Sequence, residues 1–192
     1  MIDDEFAYTG LHAFVFIDSV DPGTNIRDVI DALREFGPPP RGPVFFASEM
    51  VGGYLGFAHV RTETLAELQD LIVGELWSRG AHCAHCVEAG VAHVGTMLKG
   101  VKRGTPEVIA LVRVRTSPGA LGQVLEMMAD EHGPLRETFK GASVTFGDFD
   151  ILLQLGADSF EAVATDVYGP LQTIDGIVST DTAFTDARRY GD

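Results

Sequence analysis

Four stretches of the chain carry apolar residues at the spacing of a helix with one buried face. They are Ile26, Val29, Ile30 and Leu33; Leu65, Leu68, Ile72 and Leu76; Leu121, Val124, Leu125 and Met128; and Phe160, Val163, Val167 and Leu171. Between them run short segments rich in β-branched and aromatic residues, the pattern of strands. The first and third helical stretches lie 95 positions apart, and so do the second and fourth. Pro39 and Arg41 pair with Pro134 and Arg136 at the same offset. Independent segments do not keep one offset by accident, so the chain reads as a tandem duplication.

Each copy has the order strand, helix, strand, strand, helix, strand. In the first, HAFVFIDSV (12–20) turns at Asp21-Pro22-Gly23, and a helix capped by Asn25 runs to Gly37. The prolines of GPPPRGP exclude helix, because they remove donors and push the preceding residues to extended shapes. VFFASEM and YLGFAHV, joined at Gly52-Gly53, predict a hairpin. Thr64 and Glu67 form a capping box for the second helix, and CVEAGVAHV supplies the last strand. The second copy repeats this with VIALVRVRT, a turn at Ser117-Pro118-Gly119, a helix over 121–131, and strands over 138–146 and 149–155. A box at Asp158 and Glu161 then opens a helix over 159–172, and IVSTDTAFT ends the unit.

AFVFI, VFFA and ILLQL are apolar on both faces, whereas a sheet with one wet face alternates. Two helices cover only one face of a four-stranded sheet. The expectation is therefore an α+β chain: two tandem ferredoxin-like βαββαβ units packed sheet to sheet as an intrachain pseudo-dimeric α/β barrel. The units are expected at 11–95 and 108–187, with a glycine-rich, basic linker at 96–107.

Charge narrows the partners. With 28 acidic and 14 basic residues the net charge is −14, a field that repels phosphate backbones. Lys99, Lys102 and Arg103 make one small basic cluster, read as a solvated linker and not a nucleic-acid contact. The acidic start lacks the pattern of a signal peptide, no apolar run reaches bilayer length, and two cysteines make no disulfide framework. These features point to a cytoplasmic protein with no membrane partner. A mean hydropathy of +0.12 despite the charge points to apolar surface buried between chains, hence to a homo-oligomer or assembly module.

The second copy resembles the effector-binding domain of the leucine-responsive and asparagine-activator (Lrp/AsnC) regulators. The resemblance rests on the strand running into Pro118-Gly119, the turn Gly147-Asp148-Phe149-Asp150, the segment Ile174-Asp175-Gly176-Ile177-Val178, and Thr180-x-Thr182. It covers 108–187; in the first copy it is carried by spacing. It implies a dimeric α/β barrel, commonly assembled into rings, with a site for a small molecule, often an amino acid. It nominates Gly147, Asp148, Asp150, Thr180 and Thr182 as ligand-binding. A carboxylate can hold an ammonium group, while a glycine turn and threonine hydroxyls can hydrogen-bond a carboxylate. Equally, both aspartates can serve the turn alone and both threonines can be strand formers. Two departures stand out. The ten or so residues before the first strand leave no room for the family's helix-turn-helix, so direct DNA binding is not expected. Opposite Asp148, Asp150, Thr180 and Thr182 the first copy has Gly53, Leu55, Ala89 and Val91, so its pocket is expected to be lost.

The spacing places four extra residues in the first copy, around HCAHC. Cys83, Cys86, His82 and His85 could ligate zinc; the pair could also be a redox dithiol, or two reduced thiols in a longer loop. A single CxxC lacks the second pair of a closed site, and no cofactor is the leading reading. No nucleophile–base pair, phosphate-cradling loop or paired-carboxylate spacing appears. The reading is a sensing or regulatory module and not an enzyme, with a haem-binding or small oxygenase barrel enzyme as the alternative through His59 or His93.

Overall fold

The computed structural model describes residues 11–37, 42–82, 85–86, 92–94, 106–130, 132–145 and 148–186. These fall into two compact units divided between Val91 and Ala92. The fold is mixed α+β, with antiparallel sheets and helices.

The first unit contains β1 (Leu11–Ile17), β2 (Ser19–Val20), α1 (Ile26–Glu35), β3 (Val44–Glu49), β4 (Gly56–Thr62), α2 (Leu65–Asp70), β5 (Ala81–His82) and β6 (His85–Cys86). Its main sheet has the order β3-β4-β1-β6. Asn25 caps α1 by accepting from the Arg27 amide at 3.1 Å. Thr64 caps α2, while the Glu67 carboxylate reaches back to accept from the Glu63 amide at 2.9 Å, one residue beyond the usual box partner. Ala13, Val15, Ile17, Ala58 and Val60 pack against Val29, Ile30, Leu33 and Leu68 on the helix side. The opposite face is aromatic: Phe14, Phe16 and Phe57 are buried, with ring centroids of Phe16 and Phe57 at 5.1 Å.

The second helical stretch is not one regular helix. After α2 the backbone widens to a π-helix over Leu71–Leu76, then tightens to a 3-10 turn over Trp77–Arg79. It ends at Gly80 in the left-handed region (φ 73°), where the Asp21 and Thr24 side chains leave no room for a Cβ.

The second unit contains β7 (Ala92–Val94), β8 (Val108–Thr116), α3 (Leu121–Ala129), β9 (Phe139–Val144), β10 (Ile151–Ala157), α4 (Phe160–Tyr168) and β11 (Ile177–Asp186). Its sheet has the order β11-β8-β10-β9-β7. Ala110, Val112, Val114, Ile151, Leu153 and Leu155 face Val124, Met128, Val163 and Val167. The cap of α4 is Ser159, whose hydroxyl accepts from the Ala162 amide at 3.2 Å; the box expected at Asp158 is displaced by one residue. The helix expected to reach 172 stops at Tyr168, because Pro170 offers no amide to continue it.

Both units set their four principal strands in one order, and both hairpins carry a one-residue bulge at the same place. Phe45 bulges between Val44 and Phe46, and Lys140 between Phe139 and Gly141, 95 residues further on. The last strand of the first unit departs from expectation. Instead of one strand over 86–94, His85 and Cys86 pair with Phe16 and Val15, whereas Ala92–Val94 pairs with β9 in the second unit's sheet. That pairing covers the ladder groups on the outer side of β9, which would otherwise be bare. Within HCAHC, His82 ends β5 and His85 and Cys86 form β6, while Cys83 and Ala84 lie outside the described residues. Register sets Cys86 beside Val15 as it sets Thr182 beside Val112, so Cys86 occupies the place of Thr182. Ala89 and Val91 lie outside the described residues.

Candidate functional site

The end of β8 is tied down on both flanks by polar side chains. On the β10 flank, Asp150 Oδ2 accepts from the Thr116 amide at 2.7 Å and from its hydroxyl at 3.0 Å. The Asp150 amide donates to the Val114 carbonyl, and its own carbonyl accepts from the Thr145 amide, at 2.9 and 2.8 Å. The Thr145 hydroxyl donates to the Phe149 carbonyl at 2.7 Å, and Arg115 Nε donates to the Asp148 carbonyl. The turn is therefore held by six hydrogen bonds, three of them charge-assisted. Asp148 is exposed and Asp150 half-buried; Gly147 lies outside the described residues.

On the β11 flank, Thr180 and Thr182 pair with Val114 and Val112 and so share the helix face of the sheet. The Gln172 side-chain amide donates to Thr180 Oγ1 at 2.9 Å and to the Val167 carbonyl at 2.8 Å. A register shift between Ile177 and Ser179 bends the start of β11 here. Gly176, at φ 94°, lets its carbonyl accept from the Ser117 amide at 2.8 Å, and a Cβ there would meet Ala120 and Val124. That close approach is the physical content of the Ile174-x-Gly176 motif.

The structure thus brings Asp150 and Thr180 to the same end of β8, one on each side of it, with Thr182 two residues deeper along β11. The sequence alone did not single out Thr116 or Gln172. Thr116 ends a strand, and Gln172 sits in a 3-10 turn beyond α4, positions with no pattern of their own. Together they present a carboxylate, hydroxyls and an amide, groups able to receive an ammonium and to donate to a carboxylate.

The sulfur and imidazole groups are placed as follows. His82 is half-exposed and its Nε2 lies 2.9 Å from Asp21 Oδ1, clipping β5 to the turn after β2. His85 and Cys86 are in β6, and Cys83 lies outside the described residues. Among the described residues no three His, Cys, Asp or Glu side chains gather around a common point. His59, on the aromatic face of the first unit, lies between Phe14, tilted to it, and Phe45, stacked on it, with centroids at 4.7 and 4.9 Å. A surface cleft of about 400 Å³ opens beside the start of α4, lined by Glu137, Lys140, Asp158 and Ser159 among others. Among the described residues no helix is long and apolar enough to cross a membrane.

No family model matches the chain, and no curated protein matches it. Its fold is similar to that of known structures. A double mutant of the chlorite dismutase from Candidatus Nitrospira defluvii is 14% identical and covers 92% of this chain and 91% of its own, at a TM-score of 0.59. An anthrone oxidase-like protein is 13% identical and covers 96% and 94%, at 0.56. These neighbours are ferredoxin-like dimeric α/β-barrel proteins, and identities this low speak for fold alone. AsnC of E. coli is 19% identical over 45% of this chain and 60% of AsnC, at a TM-score of 0.37, too slight a likeness to build on.

Proposed function

We propose that the protein is a small-molecule-sensing or regulatory module of Lrp/AsnC type, and that its ligand is amino-acid-like. The observation that supports this reading is the convergence of Asp150–Thr116 and Thr180–Gln172 on one end of β8. In this reading the hydroxyls of Thr180 and Thr182 donate to the ligand carboxylate, with Gln172 holding Thr180 in place, while Asp148 and Asp150 face its ammonium group. The hydrogen bond from Gln172 to Thr180 fixes the threonine hydroxyl, and leaves its proton to donate, before a ligand arrives, which lowers the ordering cost of binding.

Titrating the standard amino acids calorimetrically tests it. At least one should bind saturably, and Gln172→Ala or Thr180→Val should weaken it about tenfold, the worth of one to two hydrogen bonds to a charged group. No heat from any amino acid at millimolar concentration would remove this reading. A second reading, a barrel enzyme of haem-binding or small oxygenase type, draws on His59, an imidazole set among Phe14, Phe45 and the buried aromatic face. A Soret band on adding haemin, abolished in His59→Ala, would put that reading first.

A further inference from the structure

The second helical stretch of the first unit leaves a row of apolar side chains outside its core. Leu68, Leu71, Ile72 and Leu76 are buried, whereas Leu65, Val73 and Trp77 are 63%, 42% and 52% exposed. With Gln69 these three stand four residues apart in sequence. In a continuous α-helix four residues make more than one turn, so such a row swings round the axis and its ends part. Here the backbone widens to a π-helix over Leu71–Leu76, whose longer turns swing the row back and bring Trp77 into line with Leu65. Small residues, Ala66 and Gly74, stand beside the row, and a Cβ added at Gly74 would meet nothing within 4 Å.

The second unit does not repeat this arrangement. Phe160 and Tyr168 are exposed at the places of Leu65 and Val73, but the Phe160 ring packs against Phe184 with centroids at 4.6 Å. The helix α4 stops at Tyr168, and Gln172 stands at the place of Trp77. The row of three therefore belongs to the first unit.

An exposed apolar row with a polar border marks an interaction surface, and the sign of its border selects the partner. Glu63, Glu67, Asp70 and Glu75 are its acids, with no basic residue between 63 and 75. Glu75 pairs with Arg79 at 3.1 Å, while Glu63, Glu67 and Asp70 are exposed. A second copy of the chain would bring the same carboxylates and a net charge of −14, and an anionic lipid surface is repelled in the same way. A helix with apolar residues at three- and four-residue spacing can lie along the row, its lysines or arginines over the acids.

We infer that this face docks a basic amphipathic helix of a partner protein, with Trp77 as its aromatic anchor. The surface is independent of the amino-acid-like site and stands whether or not that site binds anything.

Trp77 is the one tryptophan of the chain, so its fluorescence reports on the row directly. The probe is a peptide of about fifteen leucines and lysines with helical apolar spacing, titrated into the full chain. Trp77 emission should move saturably to shorter wavelength, and neither a scrambled peptide nor one with glutamate for lysine should move it. Val73→Asp should weaken binding about tenfold or more, as loss of a central apolar contact does. Asp70→Lys should weaken it about threefold, the worth of an exposed ion pair. Tyr168→Asp, at the matching place in the second unit, should leave it unchanged. Should Val73→Asp lose helical circular dichroism, Leu65→Asp, at the exposed first position of α2, decides in its place. The inference is wrong if the peptide leaves the emission unmoved, if the scrambled peptide moves it equally, or if the aspartate variant binds as tightly as the wild type. Emission that moves to longer wavelength on diluting the chain alone would give the row to a second copy. A shift to shorter wavelength on anionic vesicles would give it to a lipid surface, and either result overturns the inference.

Discussion

Asp148 and Asp150 sit two positions apart on one turn and are held in different ways. Asp150 accepts two hydrogen bonds from Thr116, 34 residues away, and is half-buried; Asp148 is exposed, and its carbonyl accepts from Arg115 Nε. Asp150→Ala should therefore lower stability by about 2–3 kcal/mol, because it strands a backbone amide and a hydroxyl without their charged acceptor. Asp148→Ala should stay within about 0.5 kcal/mol, as surface changes usually do. Urea unfolding of the two variants checks this, and equal losses would show that the Thr116 bonds are not what holds the turn. The two aspartates were legible in the sequence as a polar turn, but their partner was not. No local pattern tells that Thr116 lies beside Asp150, or that Gln172 lies beside Thr180, since both contacts depend on how β8, β10 and β11 register. Arg113 was hidden in the same way. In VIALVRVRT it reads as one polar position in an apolar strand, and only the ladder shows it opposite Asp181.

The elements themselves were legible wherever periodicity ran long. All four helical stretches fold as helix, and each hairpin forms, because a buried stripe and a tight turn are properties of a few consecutive residues. Ends were harder. A capping box at Asp158 and one at Ser159 differ by a single residue, and both residue types cap well. The structure gives the cap to Ser159. Ser159→Ala should cost about 1 kcal/mol and Asp158→Ala a few tenths, a difference readable by thermal unfolding; the reverse order would restore Asp158 as the cap. The π-helix after Asp70 and the break at Gly169 were not legible from apolar spacing, because six residues are too few to show a change of period. Strands of two or three residues escaped for a related reason. β6 and β7 are too short to show alternation, and CVEAGVAHV reads as one strand because nothing within it says which residues belong to which sheet.

At the scale of the molecule, the two units share strand order and the position of a bulge, Phe45 in one and Lys140 in the other. A bulged residue sits outside the regular register, so an aromatic ring and an ammonium can occupy that place without disturbing the pairing around it. The neighbouring structures extend over more than nine-tenths of the chain, so the likeness belongs to both units together and not to the second alone. Ala92–Val94 adds a further consequence. Three residues that precede the linker in sequence complete the sheet that follows it. A gene cut at the linker, as composition alone suggests, would yield a carboxy-terminal piece whose β9 is open for pairing with its own kind. Expressed from residue 106, that piece should associate into sedimenting aggregates, while one begun at Ala92 should stay in the supernatant. The glycine-rich linker of this sequence is therefore not the place to divide it: the scissors belong some fifteen residues upstream of where the glycines invite them.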